Sequence, residues 1–139
     1  MKNKIQYIEN KNIESIREKA LSFPQTRLVE IDGSKYKCYA DFVEFLEVEL
    51  SFPRKCDGNG GYMSQCDDLM RDLSWENYDK YVFVVYNYEK FLLNDYFGKG
   101  VFFCSFEEYT KFWEYGAEKC IVGGKSKNFE LYLVVEEKY

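Results

Sequence analysis

The sequence predicts a single α/β domain with a small parallel sheet of about three strands packed with helices. Strand-like apolar stretches alternate with helix-periodic ones, and each link between strands is long enough for a crossover. The run Tyr81-Val82-Phe83-Val84-Val85-Tyr86 is apolar without alternation, as in a strand covered on both faces. At 139 residues the chain is the size of one domain whose core needs no covalent staples, and 19% aromatic residues suit a thick layer between sheet and helices.

In chain order, Asn12 is placed to cap a short helix with Ile13, Ile16 and Ala20 on one side. Residues 1–26 then form an N-terminal extension packed on a domain of residues 27–139. Leu28-Val29-Glu30-Ile31 is the first strand, closed by the turn signal Asp32-Gly33. Ser34 to Cys38 is too polar and short for a strand. Ala40 to Leu50 reads as a helix with Phe42, Phe45, Leu46 and Leu50 inward and Asp41, Glu44, Glu47 and Glu49 outward.

The stretch Ser51 to Trp75 joins a glycine-rich loop to a short acidic helix. Gly58, Gly60 and Gly61 allow a tight bend close to a partner. Ser64 with Asp67 resembles a capping box and predicts a helix from Gln65 to Leu73. Met63, Cys66, Met70 and Leu73 fall on its inward stripe, leaving Asp67, Asp68, Arg71 and Asp72 outside. Such a face is either a solvated surface with a local Asp68–Arg71 ion pair or an anion-mimicking patch for a basic partner.

After the central strand, Tyr88 to Leu93 reads as a short helix broken by Gly98-Lys99-Gly100, and Val101-Phe102-Phe103 is too short to classify. Ser105 with Glu108 forms a second capping box, which predicts a helix from Phe106 to Lys119 with Phe106, Tyr109, Phe112, Trp113 and Ala117 in the core. Gly123-Gly124-Lys125-Ser126 lacks the upstream glycine of a phosphate loop and precedes a strand. Phe129 to Val135 is the last strand.

Composition excludes several function classes. The chain has 24 acidic and 19 basic residues, a balance that disfavours direct nucleic-acid binding and suits a partner with a basic groove. Histidine is absent, which removes the commonest general base and metal ligand. The five cysteines, Cys38, Cys56, Cys66, Cys104 and Cys120, are odd in number and show no CxxC spacing. They read as reduced thiols, without a disulfide frame or metal site. No run has transmembrane length, and the N-terminal MKNKIQYIENKNIES lacks the apolar core of a signal peptide. A cytoplasmic protein is expected.

From Arg27 to about Val135 the chain resembles the barstar family, small intracellular inhibitors of secreted ribonucleases. The likeness rests on the order of the strand ending in Asp32-Gly33, the helix ending in Leu50-Ser51-Phe52-Pro53, the glycine loop, the helix Asp68-Leu69-Met70-Arg71-Asp72-Leu73-Ser74-Trp75 and the strand Tyr81 to Tyr86. The resemblance implies a barstar-like fold in which loop and helix plug a ribonuclease active site, with carboxylates where RNA phosphates would bind. Asp68 matches the family's central aspartate, and Tyr62 falls where an Asn is common. Ser64 stands where a first helix aspartate is frequent, and Asp67 where an aromatic or variable residue sits. The loop is a few residues longer and no tyrosine follows Pro53. A glutamate on the late helix also reaches the ribonuclease in that family; Glu114 is the nearest match, with Glu118 behind it.

The expected contact set is therefore Asp57, Asn59, Tyr62, Ser64, Asp67, Asp68, Asp72 and Glu114, with no catalytic residue, metal or cofactor. The expected partner is a basic protein, a secreted ribonuclease or toxin nuclease, and the chain alone is expected to be a monomer. The alternative is an immunity or regulatory protein on the same scaffold with a non-nuclease partner. A third class, an enzyme pairing Asp67 with Asp72 or Asp57, is disfavoured because adjacent Asp67 and Asp68 diverge by about 100° around a helix.

Overall fold

A computed structural model describes residues 2–56, 62–120 and 124–136, with Tyr62 described for its backbone alone. The strands are β1 (Lys4–Glu9), β2 (Thr26–Asp32), β3 (Lys80–Tyr86) and β4 (Asn128–Val135). They form one all-parallel sheet in the order β1-β4-β3-β2. The α/β class read from the sequence is the observed one, and about three strands become four because Lys4–Glu9 pairs along β4 from Lys4↔Glu130 to Glu9↔Val135.

That strand was missed because its pattern is weak: Lys4, Gln6 and Tyr7 are exposed and Ile8 alone is buried. Its position is set by long-range bonds around Asn3. The Asn3 side chain donates to the carbonyls of Thr110 (3.1 Å) and Lys127 (3.0 Å) and accepts from the Phe129 amide (2.9 Å). Residues 1–26, read as an extension, therefore supply an edge strand and the helix α1 (Ile13–Leu21) that follows it. Asn12 precedes α1 as expected, but its side chain makes no capping hydrogen bond.

The sheet has two unequal faces. Ile8, Ala20, Val82, Val84, Tyr132 and Val134 form a small core beneath α1. The opposite face carries the main core, where Val29, Ile31, Tyr81, Phe83, Val85, Phe129, Leu131 and Leu133 meet the remaining helices. Alternate residues of β3 thus enter different cores, which accounts for its unbroken apolar run.

Helix α2 (Tyr39–Glu49) buries Phe42 and Leu46 and exposes Asp41 and Glu44, as its periodicity predicts; Val43 is buried beside them, and Phe45, Glu47 and Glu49 are half-buried. Its C-terminal end is tied to β2 by Arg27, which donates to the Glu49 carbonyl (2.7 Å) and side chain (3.0 Å). Asp32-Gly33 opens a single 3-10 turn, Gly33–Lys35, instead of a hairpin. Gly33 is obligatory there, since a Cβ would lie 2.6 Å from the Tyr86 carbonyl oxygen.

Helix α3 (Tyr62–Met70) starts earlier and ends earlier than its predicted span, so Ser64 lies inside the first turn and does not cap it. Leu73, in the left-handed region at φ 51°, turns the chain away after α3 while its side chain stays buried.

The largest correction concerns α4 (Tyr96–Lys111). Gly98-Lys99-Gly100 does not break a helix and Ser105 does not open one; all lie within α4, as does Val101-Phe102-Phe103. Asp95 is the true cap, accepting from the Gly98 amide at 2.9 Å. Phe102 and Phe106 pack edge-on and tilted against Phe42, Phe83 and Phe91. Burying two such rings outweighs the roughly 1 kcal/mol that each interior glycine costs. The helix then widens into a π-turn at Phe112–Gly116 before the short α5 (Ala117–Cys120). Tyr88 to Leu93 contributes only a 3-10 turn, Tyr88–Lys90.

Candidate functional site

The candidate surface is the outer side of α3. Cys66, Leu69 and Met70 are buried along its inner side, with Leu73 just beyond and Met63 partly buried. Two hydrogen bonds lock the helix to α4 and the π-turn: Trp113 Nε1 donates to the Met70 carbonyl at 2.9 Å, and the Tyr109 hydroxyl donates to Asp67 Oδ1. The helix is thereby held as a fixed support for what it exposes.

The four expected outward residues separate. Asp68 is 65% exposed and pairs with Arg71 at 3.4 Å, the local ion pair that its spacing predicts. Asp72 is exposed, and its Oδ1 accepts from the Ser74 amide at 3.3 Å. Ser64 is exposed on the first turn. Asp67 is half-buried and turned toward Tyr109, so it was misplaced as outward. A period of 3.6 cannot reveal this, because a residue flanking the apolar stripe turns inward only when a neighbouring helix offers a donor.

Glu114 is not brought to this face. It lies in the π-turn, and its Oε1 accepts the Asn3 amide at 2.6 Å, at the head of β1. Its neighbour Trp113 turns toward α3 instead. Glu118 accepts from Ser126 Oγ at 3.2 Å. Asp57 and Asn59, with the loop glycines Gly58, Gly60 and Gly61, lie outside the described residues, as does the side chain of Tyr62.

Behind α3 sits a polar cluster that the inward stripe did not reveal. The Cys56 and Cys66 thiols share a hydrogen bond, and Tyr109 contacts Cys66 as well as Asp67. Tyr39, on the first turn of α2, reaches Tyr109 and Ser105. The bond with Cys56, burial and the nearby Asp67 carboxylate push the Cys66 thiol well above its ordinary range. Burial likewise raises the phenols of Tyr39 and Tyr109, with Cys66 and Asp67 adding to it. These thiol and phenol groups stay protonated and neutral at neutral pH, so they add no charge behind α3.

Among the described residues no group of three or more His, Cys, Asp or Glu is arranged to hold a metal ion, and no helix is long and apolar enough to cross a membrane. No family model, curated protein or solved structure matches the chain.

Proposed function

We propose that this chain is a protein inhibitor that binds a basic ribonuclease and occludes its active site with the exposed face of α3. The observation that carries this reading is the division of labour on α3. Its inner side is anchored by Cys66, Leu69, Met70, Trp113 and Tyr109, while Asp68 on the helix and Asp72 in the turn just after it stand exposed on a support that does not have to reorganise. Carboxylates held in this way enter a cationic cleft, pair with its Arg and Lys groups and exclude the substrate's phosphates; the negative field speeds the encounter. The order of motifs that resembles the barstar family supports the same reading. The action is occlusion, with no turnover by the chain itself.

Ser64 and the inward Asp67 change the contact surface relative to that family, and this favours a second reading: the same face turned to a basic partner that is not a nuclease. Titration of the purified chain against basic secreted ribonucleases, with RNA cleavage as the readout, tests the proposal. Asp68→Ala should weaken binding about 30-fold or more, the loss for a desolvated charge pair, while Glu47→Ala on α2 changes it by less than about threefold. Both variants should keep the wild-type circular dichroism. Equal losses for the two variants would place the contact elsewhere, and one-to-one capture of a basic protein without RNase activity would select the second reading.

A further inference from the structure

β1 lies at one end of the sheet order and pairs along β4 only. Alternate backbone groups of a strand point to opposite sides, so half of the amides and carbonyls of β1 point away from β4. No backbone group of the described residues outside the sheet bonds to β1. An edge left open in this way is a template for a further strand.

This edge also borders a groove. α4 and the π-turn stand beside β1 and leave a space of about 410 Å³ between Ile5 and their Phe103, Glu107, Lys111, Glu114 and Tyr115. The two sides of β1 differ. Ile5 packs toward the main core, and Tyr7 lies edge-on to Tyr88 at 5.9 Å on the same side as α4. Lys4 reaches over the Tyr132 ring, on the side of the small core.

A strand laid along β1 shares its alternation. Residues on one side enter the groove, where Phe103 and Tyr115 offer apolar surface and Glu107 and Glu114 repel an acidic side chain. Residues on the other side run beside Lys4, which is exposed, as is Lys2 just ahead of it. That position attracts an acidic side chain.

We propose that the groove between β1 and α4 binds an extended peptide segment of a partner protein as an added strand, its apolar residues alternating with acidic ones. Backbone bonds to β1 supply affinity, and the alternation selects the segment. A lysine on an edge strand by itself serves to keep other strands away. The groove beside this one gives an incoming strand a place to bury its apolar side, which a merely guarded edge lacks. The site uses none of the α3 residues and does not depend on the inhibitor reading.

The probe is a fluorescein-labelled hexapeptide of alternating valine and glutamate, as long as β1, titrated into the full chain by fluorescence anisotropy. It should bind with saturation, and the same peptide with lysine for glutamate should bind about tenfold more weakly or worse. The chain has a net charge of -5, so unspecific attraction would give the reverse order. Lys4→Glu should weaken the acidic peptide about tenfold, and Tyr115→Ala about threefold, both with unchanged circular dichroism. Methylating one alternate set of peptide amides should abolish binding and methylating the other should leave it unchanged, because only one set faces β1.

No binding of the acidic peptide, tighter binding of the lysine peptide, or equal effects of the two methylated sets would overturn the site. A dimer in sedimentation that Lys4→Glu dissociates and the peptide does not would overturn it too, by giving the edge to a second copy of the chain.

Discussion

The Tyr109 hydroxyl on α4 donates a hydrogen bond to the Asp67 carboxylate on α3. One of two adjacent aspartates is thus used to fasten the helix, and the other, Asp68, is left to face solvent. This division makes α3 rigid and acidic at once, and it gives the two residues separable phenotypes.

Removing the fastening should cost stability. Tyr109→Phe takes away one hydrogen bond to a charged acceptor in a half-buried site, for an expected loss of about 1–2 kcal/mol in urea unfolding. Asp67→Asn should cost a similar amount, and the double variant less than the sum, because the two share one interaction. Additive losses would mean that the pair is not coupled.

A single carboxylate also joins the starts of two helices. Asp95 accepts from the Gly98 amide of α4 through Oδ1 and from the Tyr39 amide of α2 through Oδ2, both at 2.9 Å. Asp95→Ala should lose about 2 kcal/mol, the worth of two capping bonds, and Asp95→Asn, with one acceptor oxygen, about half of that. Gly98→Ala should also destabilise, since its Cβ would fall 2.1 Å from Asp95 Oδ2. Full stability of Asp95→Ala in chemical denaturation would contradict the double cap.

The edge strand should depend on Asn3. Asn3→Ala leaves the Thr110 and Lys127 carbonyls and the Phe129 amide without their side-chain partner. The expected cost is about 2–3 kcal/mol, with faster hydrogen exchange along β1 than along β3. Equal protection of β1 in the variant and the wild type would show that strand pairing alone suffices.

Alkaline pH should unfold the protein through its tyrosines. Burial pushes Tyr86 and Tyr88 up to about 12, with Glu30 and Tyr7 respectively adding to it. Tyr39, Tyr81, Tyr109 and Tyr132 are raised further, again chiefly by burial. Unfolded, these phenols return to an ordinary value near 10.0. Between the two values the folded state holds protons that the unfolded chain releases. Stability is therefore unaffected below about pH 10 and falls as pH rises through the folded-state values. Thermal melts from pH 8 to 12, with tyrosinate absorbance, check this; a melting temperature unchanged up to pH 12 would contradict it.

The sequence by itself determined what depends on local pattern. The two-faced apolar run of β3, the stripe of Phe42 and Leu46 on α2 and the Asp68–Arg71 spacing follow from periods of two and 3.6, which neighbours along the chain suffice to set. Tertiary structure decided the rest. Lys4–Glu9 is a strand because β4 and the bonds of Asn3 hold it, not because its own residues alternate. Gly98 and Gly100 lie in a helix because Phe102 and Phe106 gain more by burial than the glycines lose in backbone entropy. Asp67 faces inward, and Glu114 turns to Asn3, because partners more than 40 residues away supply the donors. Pattern fixes which side of an element is apolar; only packing decides which polar group at its border finds a partner and which is left for solvent, where a binding surface has to be.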